Sequence, residues 1–466
     1  MQCKIDDTKF DYEGFALVRK LDGIDEQGKI RTKEENGRKK EDVILTMEPA
    51  QNVPTSCTVY DKDGKVIVTA ADIAELHGKT FSAKQDWFRE QCLKLRTSWE
   101  DEHTFIFIRR THLIEDSVLG IMMLEPHQLR NMFRFEFIGE PGIDAGGVAR
   151  EWFEVVSQQL FHPDAGLWQY SAVNQMCMQI NASSGLANEN HLHYFRFTGR
   201  FLGKALFDGQ LVASHLIRHI YKHMLGWPLM FADIEMIDDN VFRSLMMLGD
   251  IEDVEDLCLD FSVMESEMGM NRTVDLIPDG ADVDVTNDNL KLFLEKSLEY
   301  RINTRVQAQL KQLLLGFYEV MPEALLTVFD FQELELMCCG LPHFDLEDWK
   351  VNTEYLGQYE SKKTAHKVVA WFWEVVEEWD EELKARLMQF VTGTSGVPAQ
   401  GFAYLQGNDG NIRKFAINSI SKSSSLYPRA HTCFNRIDLP LYDSKQELHD
   451  KVKLAVQMEA TGFDIE

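Results

Sequence analysis

The stretch Pro428-Arg-Ala-His-Thr-Cys-Phe-Asn-Arg-Ile-Asp-Leu-Pro440 is the most informative part of this sequence. The two prolines keep the backbone extended, so the cysteine between them does not lie inside a helix. A thiol beside cationic or hydrogen-bonding groups has a larger thiolate fraction, and the thiolate is the nucleophile. Cys433 is therefore a candidate nucleophile. A papain-type cysteine protease is one interpretation, but none of the local signatures of that class is present.

The residues around this motif predict a compact α+β unit at the end of the chain. A polar segment, 352–359, precedes the unit and is predicted to be a linker. Ser444 and Glu447 form a capping-box pattern in front of a last helix. The expected elements are a helix pair over 368–391, a hairpin turn at Asn408-Asp-Gly410 between segments at 402–405 and 415–417, and the last helix over 448–458.

Upstream, the spacing of apolar residues predicts a larger, mainly helical region. The acidic stretch 231–290 differs from its neighbours and is expected to be an inserted subdomain. The charged stretch 31–42 has no apolar period and is predicted to be a loop or solvated surface. The expected elements are a hairpin turn at Asp61-Lys-Asp-Gly64, a helix over 85–95, a strand over 104–109, a helix opening at Asp116-Ser117, a strand over 133–137, a Gly-rich turn over 139–147, a helix from Val148, and helices within 190–227 and 296–329.

Three patterns resemble functional sites but favour a structural interpretation. The Gly-rich turn matches no phosphate-binding consensus, so a tight packing turn is expected. His215, His219 and His223 are spaced to share one helix face, but no HExxH acid or nearby cysteine accompanies them. We therefore expect surface or half-buried histidines rather than metal ligands. Cys338 and Cys339 have apolar neighbours and are expected to be buried, inert thiols.

Composition limits the classes of function. The chain has 466 residues, with 48 Lys plus Arg against 75 Asp plus Glu, so its formal net charge is −27. This excess of negative charge disfavours binding of nucleic acid through the overall electrostatic field of the protein. It also disfavours docking on anionic lipid. It is compatible with steering a basic protein partner. The eight cysteines form no CxxC pair and are expected to be reduced thiols. No transmembrane or signal-peptide pattern is found, so we expect a cytoplasmic or also nuclear location.

The motif around Cys433 resembles the active-site motif of HECT-type E3 ubiquitin ligases, close to the NEDD4-like subfamily. Further segments resemble the same family in order, over about residues 81–466, and together they are highly specific. They are Arg109-Arg-Thr-His-Leu-Ile-Glu-Asp-Ser117, Gly142-Ile-Asp-Ala-Gly-Gly-Val-Ala-Arg-Glu-Trp-Phe153, Gln179-Ile-Asn-Ala-Ser-Ser-Gly-Leu186, Glu333-Leu-Glu-Leu-Met-Cys-Cys-Gly-Leu341, Gln389-Phe-Val-Thr-Gly-Thr-Ser395 and Val397-Pro398.

The resemblance implies an α+β, bilobal HECT fold. A large, mainly helical N-lobe would span 81–351 and include a subdomain, 228–303, that grips a ubiquitin-loaded E2 enzyme. A hinge at 352–356 would join it to a smaller α+β C-lobe, 357–466, which bears the catalytic cysteine. Residues 1–80 would be an N-terminal extension of unknown role.

The resemblance also implies the chemistry. Cys433 would accept ubiquitin from the E2 as a glycyl thioester and pass it to lysines of substrate proteins. No cofactor and no metal are expected. The implied partners are the ubiquitin-loaded E2, ubiquitin and substrate proteins, with no nucleic acid and no membrane span.

Residues near the cysteine and at the end of the chain receive roles as hypotheses. His431 and Thr432 would orient the thiolate or donate to the developing oxyanion. Asp438 would deprotonate or align the incoming lysine, or alternatively would only cap the loop. Phe463 holds the fourth place from the end, where the resemblance implies a phenylalanine needed for lysine transfer. Glu466 would place negative charge near the lysine.

The E2 is expected to bind in a shallow apolar groove. Leu245, Met247 and Leu257 are the candidate residues, and the alternative is that they form the core of the subdomain. The chain departs from the subfamily in lacking a WW pattern or a C2 domain before residue 81, and in the unfamiliar stretch Glu360-Ser-Lys-Lys-Thr-Ala-His366. Two rival interpretations are a catalytically silent binding module and a thiol hydrolase that removes ubiquitin.

Overall fold

The computed structural model describes most of the chain. The described residues are 16–24, 30–35, 38–49, 58–60, 64–97, 102–140, 145–267, 270–398, 401–405 and 412–458. Within these ranges, no helix is both long enough and apolar enough to cross a lipid bilayer.

Helices form most of the molecule, and the strands pair in several small sheets. The strands are β1 (Ala16–Asp22), β2 (Thr32–Glu35), β3 (Arg38–Glu41), β4 (Ile44–Pro49), β5 (Val59–Tyr60), β6 (Val66–Val68), β7 (His103–Ile108), β8 (Met132–Phe137), β9 (Trp168–Tyr170), β10 (Cys177–Ile180), β11 (His215–Leu216), β12 (Leu229–Met230), β13 (Ser262–Glu267), β14 (Met270–Asp275), β15 (Glu354–Leu356), β16 (Ala416–Ile420), β17 (Arg429–His431) and β18 (Arg436–Pro440). The helices are α1 (Ala70–Leu76), α2 (Phe81–Leu95), α3 (Leu113–Met122), α4 (Ala145–Leu160), α5 (Ser184–Ala187), α6 (His191–Asp208), α7 (Arg218–Leu225), α8 (Asp239–Leu248), α9 (Leu290–Ile302), α10 (Gln307–Val320), α11 (Glu323–Leu326), α12 (Phe331–Cys339), α13 (Leu346–Val351), α14 (Lys367–Glu378), α15 (Glu381–Thr392) and α16 (Lys445–Met458).

The N-lobe is built around two helices, α6 and α10, whose backbones touch. A Cβ atom at Gly199 would stand 2.0 Å from the carbonyl oxygen of Leu313, and one at Gly316 would stand 2.0 Å from that of Arg196. A side chain cannot occupy such a space, because carbonyl oxygens within two helices cannot move aside independently. Glycine at 199 and 316 therefore sets how closely the two helices approach.

A cluster of buried charged side chains lies at the crossing of α6 and α10. Arg196 and Arg200 of α6 each lie 2.6 Å from a carboxylate oxygen of Glu319 on α10. All three side chains are buried. Burial opposes ionisation of Glu319, but the hydrogen bonds and charges of the two arginines outweigh it and lower the pKa of that carboxyl. The carboxylate therefore stays ionised and pairs with both guanidinium groups.

The N-terminal segment is attached to the N-lobe. β1 pairs antiparallel with β4 and with β12, which leads into the small subdomain. Arg19 of β1 is buried and donates to the carbonyl of His223, the hydroxyl of Tyr318 and the carboxylate of Glu323. For 31–42 the loop alternative is wrong, because β2 and β3 pair there as a hairpin, and the alternative of a solvated surface is the one that fits. Its described side chains on β2 face solvent, so no apolar period marks the strands.

Most of the other predicted elements are confirmed, with some differences. The helices expected to begin at Val148 and Leu448 begin at Ala145 and Lys445. The helix expected to open at Asp116 begins at Leu113. His215 lies in the short strand β11, before α7 begins, so only His219 and His223 share a helix face. Residues 402–404 form a turn of 3-10 helix rather than a hairpin strand, and β16 pairs instead with β15 and β18. The strands on either side of the turn predicted at Asp61-Lys-Asp-Gly64, β5 and β6, pair antiparallel as expected, although residues 61–63 lie outside the described residues. Residues 141–144 of the Gly-rich turn and the turn predicted at 408–410 also lie outside them.

The C-lobe begins earlier than predicted. Trp349 of α13 is fully buried, stacked on Phe402 at 4.8 Å and edge-on to Phe415 at 5.3 Å. The predicted hinge, 352–356, contains β15, which pairs in parallel with β16 inside the C-lobe sheet. The hinge prediction rested on the polar composition of this segment, whereas Tyr355 anchors it in the core. The segment predicted to be the hinge is therefore part of the C-lobe sheet.

Glu335 of α12 links the two lobes. This buried carboxylate accepts hydrogen bonds from Gln389 at 2.9 Å, from the Thr394 hydroxyl at 2.8 Å and from the Ser395 amide at 3.0 Å, all in the C-lobe. It also lies 2.8 Å from Nδ1 of His215 in the N-lobe. Because a buried carboxylate is costly when unpaired, these donors favour the arrangement in which the lobes are docked.

Substitution of Gly316 by alanine tests the α6–α10 crossing. Alanine normally stabilises a helix relative to glycine by up to about 1 kcal/mol. Here the added methyl group meets the Arg196 carbonyl, and such overpacking costs about 1–3 kcal/mol or more. We expect Gly316→Ala to lower the urea midpoint of unfolding, followed by circular dichroism.

The matched control is Gly78→Ala, because nothing lies within 4 Å of a Cβ atom at Gly78. That variant should unfold at the midpoint of the unaltered chain, to within about 0.5 kcal/mol. An equally stable Gly316→Ala variant would show that the helices can separate at no cost.

Candidate active site

The candidate nucleophile lies at the tip of a strand hairpin. β17 and β18 pair antiparallel, and a turn of 3-10 helix over Thr432–Phe434 joins them, with the backbone of Cys433 in its middle. Asn435 closes the turn with a φ of 47°, a left-handed conformation that asparagine tolerates better than most residues. Its side-chain amide donates to the carbonyl of Arg413 at 2.8 Å. The local sequence therefore fixes a tight, well-anchored turn.

The strand register brings His431 to Asp438. His431 lies opposite Arg436, and Asp438 follows two residues later on the same face of β18. Nε2 of His431 is 2.9 Å from Oδ2 of Asp438. A carboxylate can only accept a hydrogen bond, so Nε2 carries a proton. A neutral His431 ring then presents Nδ1 as a proton acceptor.

Asp438 is held from several directions. It is 5% exposed, accepts from the Asn418 side chain at 2.8 Å and lies 3.1 Å from Nε of Arg436. Burial raises the pKa of this carboxyl, but the hydrogen bonds from His431 and Asn418 and the nearby positive charges outweigh it, so the pKa is lowered. Asp438 is therefore ionised at neutral pH and orients the imidazole.

Thr432 provides a buried hydroxyl next to the cysteine. Its side chain is 4% exposed, and Oγ1 has no hydrogen-bond partner among the residues that the structure describes. Leaving a buried polar group unpaired costs about 1–3 kcal/mol. An unsatisfied donor at this position is what stabilisation of a developing oxyanion requires.

Phe434 ties the turn to the N-lobe. Its ring packs against Val173 and Met236, two buried N-lobe residues. Arg243 of α8 lies over the same ring, with 5.4 Å between the guanidinium carbon and the ring centre. The candidate nucleophile is thus placed beside the junction of the two lobes.

Comparison with known proteins assigns this arrangement to a family. A model of the HECT-domain (ubiquitin-transferase) family matches residues 154–466. This chain belongs to the HECT-domain family. It is similar to the human E3 ubiquitin-protein ligase NEDD4, with 39% identity over 390 residues that cover 83% of this chain and 29% of the relative. It is also similar to the budding-yeast E3 ubiquitin-protein ligase RSP5, with 42% identity over 360 residues, which are 77% of this chain and 43% of the relative.

The predicted fold class and family of this HECT chain are therefore confirmed. The described lobes are α+β, and the matched residues include the hairpin that carries Cys433. The chain spans less than half of the length of these two relatives.

The three residues predicted to bind an E2 separate into two groups in this HECT chain. Met247 of α8 is 49% exposed and Leu257 is 43% exposed, whereas Leu245 is 8% exposed and belongs to the hydrophobic core. For Leu245 the structure favours the alternative of a core residue, because α8 turns that face inward. Met247 and Leu257 are available at the surface of the subdomain.

The remaining candidates are placed as follows. Phe463 and Glu466 lie outside the described residues. His219 and His223 are buried, and burial lowers their pKa values to about 4 and about 3. Among the described residues, no group of three or more His, Cys, Asp or Glu side chains is arranged to hold a metal ion. Cys338 is buried, and burial raises the pKa of its thiol well above the ordinary value.

Sequence reasoning missed Asn418 and Phe434, and it counted Asn435 only as a polar neighbour of Cys433. Asn435 carried a usable signal, because asparagine is enriched in tight turns. Asn418 lies in β16 and meets Asp438 only through the parallel register of the sheet, which no local pattern reveals.

Replacement of Asp438 by asparagine tests the electrostatics of the hairpin. The amide cannot supply the charge that His431 and Arg436 face, so we expect a loss of about 1–3 kcal/mol in the free energy of unfolding at pH 7. The lowered pKa means that the native carboxylate adds stability above the pKa of the unfolded chain. That stability is lost as the pH falls through the native pKa. The difference between the two proteins should therefore begin to shrink below about pH 4 and should disappear only as the pH falls through the lowered pKa of native Asp438.

Asp450→Asn is the control, since Asp450 lies on α16 with a side chain that is 61% exposed. Chemical denaturation at intervals from pH 7 down to about pH 2 should show little difference between this variant and the unaltered chain. If the difference in the free energy of unfolding between Asp438→Asn and the unaltered chain stays the same at every pH, the ionised state assigned to Asp438 is contradicted.

Proposed function

We propose that this chain is an E3 ubiquitin ligase that accepts ubiquitin from an E2 on Cys433 and transfers it to substrate lysines. The observation that carries this proposal is the position of Cys433 in the turn between β17 and β18. The turn also holds an oriented His431 and the Thr432 hydroxyl, which has no partner among the described residues. Membership of the HECT-domain (ubiquitin-transferase) family supports the proposal.

The first step exchanges one thioester for another. The Cys433 thiolate attacks the carbonyl carbon that joins the C-terminus of ubiquitin to the E2 cysteine, and the E2 thiolate leaves. The two thioesters are of similar energy, so positioning decides the rate. Arg413 and Arg436 flank the turn and favour the thiolate form of a nearby cysteine.

The neighbouring side chains assist this step. Nδ1 of His431 takes the thiol proton, because Asp438 holds the proton on Nε2 and leaves Nδ1 as the acceptor. The hydroxyl of Thr432 donates to the oxygen that gains charge when the carbonyl is attacked. Asp438 acts through His431 rather than by contact with substrate, since its oxygens are occupied by His431, Asn418 and Arg436.

The second step forms the isopeptide bond. The amine of a substrate lysine attacks the carbonyl of the Cys433 thioester, the Cys433 thiolate leaves, and the ammonium proton is lost to a base. Phe463 places the lysine and Glu466 attracts its charge. No cofactor is required, because bond energy passes from thioester to amide.

Met247 and Leu257 form the contact with the E2. Both are large apolar side chains exposed on the subdomain that follows β12, and exposed apolar residues of this kind anchor protein partners. Leu245 supports the contact from the core. The partners are the ubiquitin-loaded E2, ubiquitin and substrate proteins, and the proposed location is cytoplasmic.

The lobes pivot between α12 and α13. Gly340 follows the last residue of α12 with a φ of 87°, and residues 341–345 have no regular structure before α13 begins at Leu346. Because Trp349 and β15 belong to the C-lobe core, a swing at 352–356 would break that core, whereas a swing at 340–343 would not.

Formation of a reductant-sensitive adduct tests the activity. The chain is mixed with E1, E2, ATP and ubiquitin, and gels are run with and without reducing agent. We expect an adduct of the chain with ubiquitin that reductant removes and that Cys433→Ala abolishes. Cys92→Ala is the matched control, because Cys92 is buried in the N-lobe. The Cys92→Ala variant should still form the ubiquitin adduct on Cys433. No adduct indicates a binding module, and shortened ubiquitin chains indicate a hydrolase.

Substitution of Phe463 separates the two steps. We expect Phe463→Ala to form the Cys433 adduct at the normal rate and to modify lysine at least about tenfold more slowly, a barrier increase of about 1.4 kcal/mol. Pulse-chase gels measure the two rates. Equal losses in both rates would contradict a role limited to lysine transfer.

A further inference from the structure

Arg243 reaches from the small subdomain of the N-lobe to the catalytic turn. Its guanidinium carbon lies 5.4 Å from the centre of the Phe434 ring, and Phe434 is the residue after Cys433. Arg413 and Arg436 approach the same ring from the C-lobe, at 5.6 and 5.9 Å. A guanidinium within about 6 Å of a ring centre is attracted to the ring. Phe434 is thus bound by cations of both lobes.

Asp239 holds the Arg243 guanidinium in place. Nε of Arg243 is 3.0 Å from Oδ1 of Asp239, and Nη2 is 2.5 Å from Oδ2. This two-pronged contact fixes the guanidinium plane, because both hydrogen bonds must form together. Asp239 is buried one helical turn before Arg243, whereas the Arg243 side chain remains 41% exposed. The subdomain therefore presents a pre-oriented cation to the C-lobe.

An apolar surface receives the rest of Phe434. Val173 and Met236 form it, and both are buried. Gly393 of the C-lobe packs on the same methionine, since a Cβ atom there would stand 2.6 Å from Cε of Met236. Asn174 adds a hydrogen bond of 2.7 Å to the carbonyl of Thr392. The turn that contains Cys433 is therefore packed against a complementary apolar surface of the N-lobe.

Arg243 and Met247 lie on one face of α8. Residues four apart are neighbours on a helix surface, and the rise of 1.5 Å per residue places them about 6 Å apart along the axis. Met247 is the exposed residue of α8 proposed above to contact the E2. The helix that carries the E2 contact also holds the turn that contains Cys433.

We propose that Arg243, fixed by Asp239, is a positioning residue that holds the catalytic turn against α8 and so presents Cys433 to the E2-bound thioester. This inference rests on the proposed function. The contact, here called the latch (Asp239, Arg243 and Phe434), serves the first transfer, in which Cys433 must approach the E2. It does not serve the second transfer, in which the acceptor is a lysine and no E2 is needed.

Single-turnover kinetics test the latch in the full chain. An E2 charged with ubiquitin is mixed with increasing amounts of the chain, and loss of the E2 thioester is followed. We expect Arg243→Gln to lower the plateau rate about three- to tenfold, the range for loss of one cation–π contact. The concentration at half-maximal rate should stay the same, because Met247 still binds the E2. The adduct, isolated and chased with a lysine peptide, should decay at the normal rate.

Two further variants identify the contact. Arg243→Lys should recover part of the plateau rate, because it keeps the cation but not the two-pronged pairing. Phe434→Leu should slow the plateau as well, and adding Arg243→Gln to it should cause no further loss. Arg305→Gln is the matched control, since Arg305 pairs with Glu265 at 2.9 Å in the same lobe, away from the turn. It should load at the normal rate.

Hydrogen exchange provides a readout that needs no ubiquitin. Amides of 429–436 should exchange faster in Arg243→Gln than in the unaltered chain, and no faster in Arg305→Gln. Unchanged exchange, an unchanged or faster plateau rate, or equal slowing of both transfers would each overturn the latch. If the unaltered chain forms no adduct at all, the proposed function fails, and the exchange measurement still decides whether Arg243 holds the turn.

Discussion

The close crossing of α6 and α10 is the constraint on which the rest of the N-lobe depends. Two glycines allow the backbones to touch, and Glu319 accepts both Arg196 and Arg200 within the buried contact. The glycines alone are not sufficient, because at a close crossing without the two arginines the carboxylate of Glu319 would be buried without a partner. Together they fix a rigid pair of helices that other elements use as a platform. The N-terminal strand β1 is secured to that platform through Arg19 and Tyr318.

The helix α12 connects the N-lobe to the C-lobe, which carries the candidate active site. Glu335 on this helix takes hydrogen bonds from the C-lobe, and the C-lobe in turn is held together by the aromatic stack around Trp349. The two lobes meet through the apolar surface that receives Phe434, through the partners of Glu335, and through buried Arg386 of the C-lobe, which pairs with Asp330 and Glu333 of the N-lobe.

The catalytic hairpin shows how far a linear motif determines a site. The proline-bounded motif was enough to select Cys433 and to group His431, Thr432 and Asp438 with it. The strand register then explains why His431 meets Asp438, and this could be anticipated from the hairpin. The strand β15 could not be recognised from composition, because a polar segment that forms a sheet edge resembles a polar linker. Trp349 was the residue that distinguished the two, and only its burial revealed it.

The sequence by itself determined the family, the candidate nucleophile, most helices and the composition of the turn that carries it. These features are encoded by residues close together in the chain, where periodicity, capping and turn preferences operate. Tertiary structure alone decided that Arg243 faces Phe434, that Glu335 joins the lobes, that Leu245 is core and that Gly199 and Gly316 must remain glycine. Each of these depends on distances between residues far apart in sequence, which are set by how whole helices and sheets pack rather than by any local pattern.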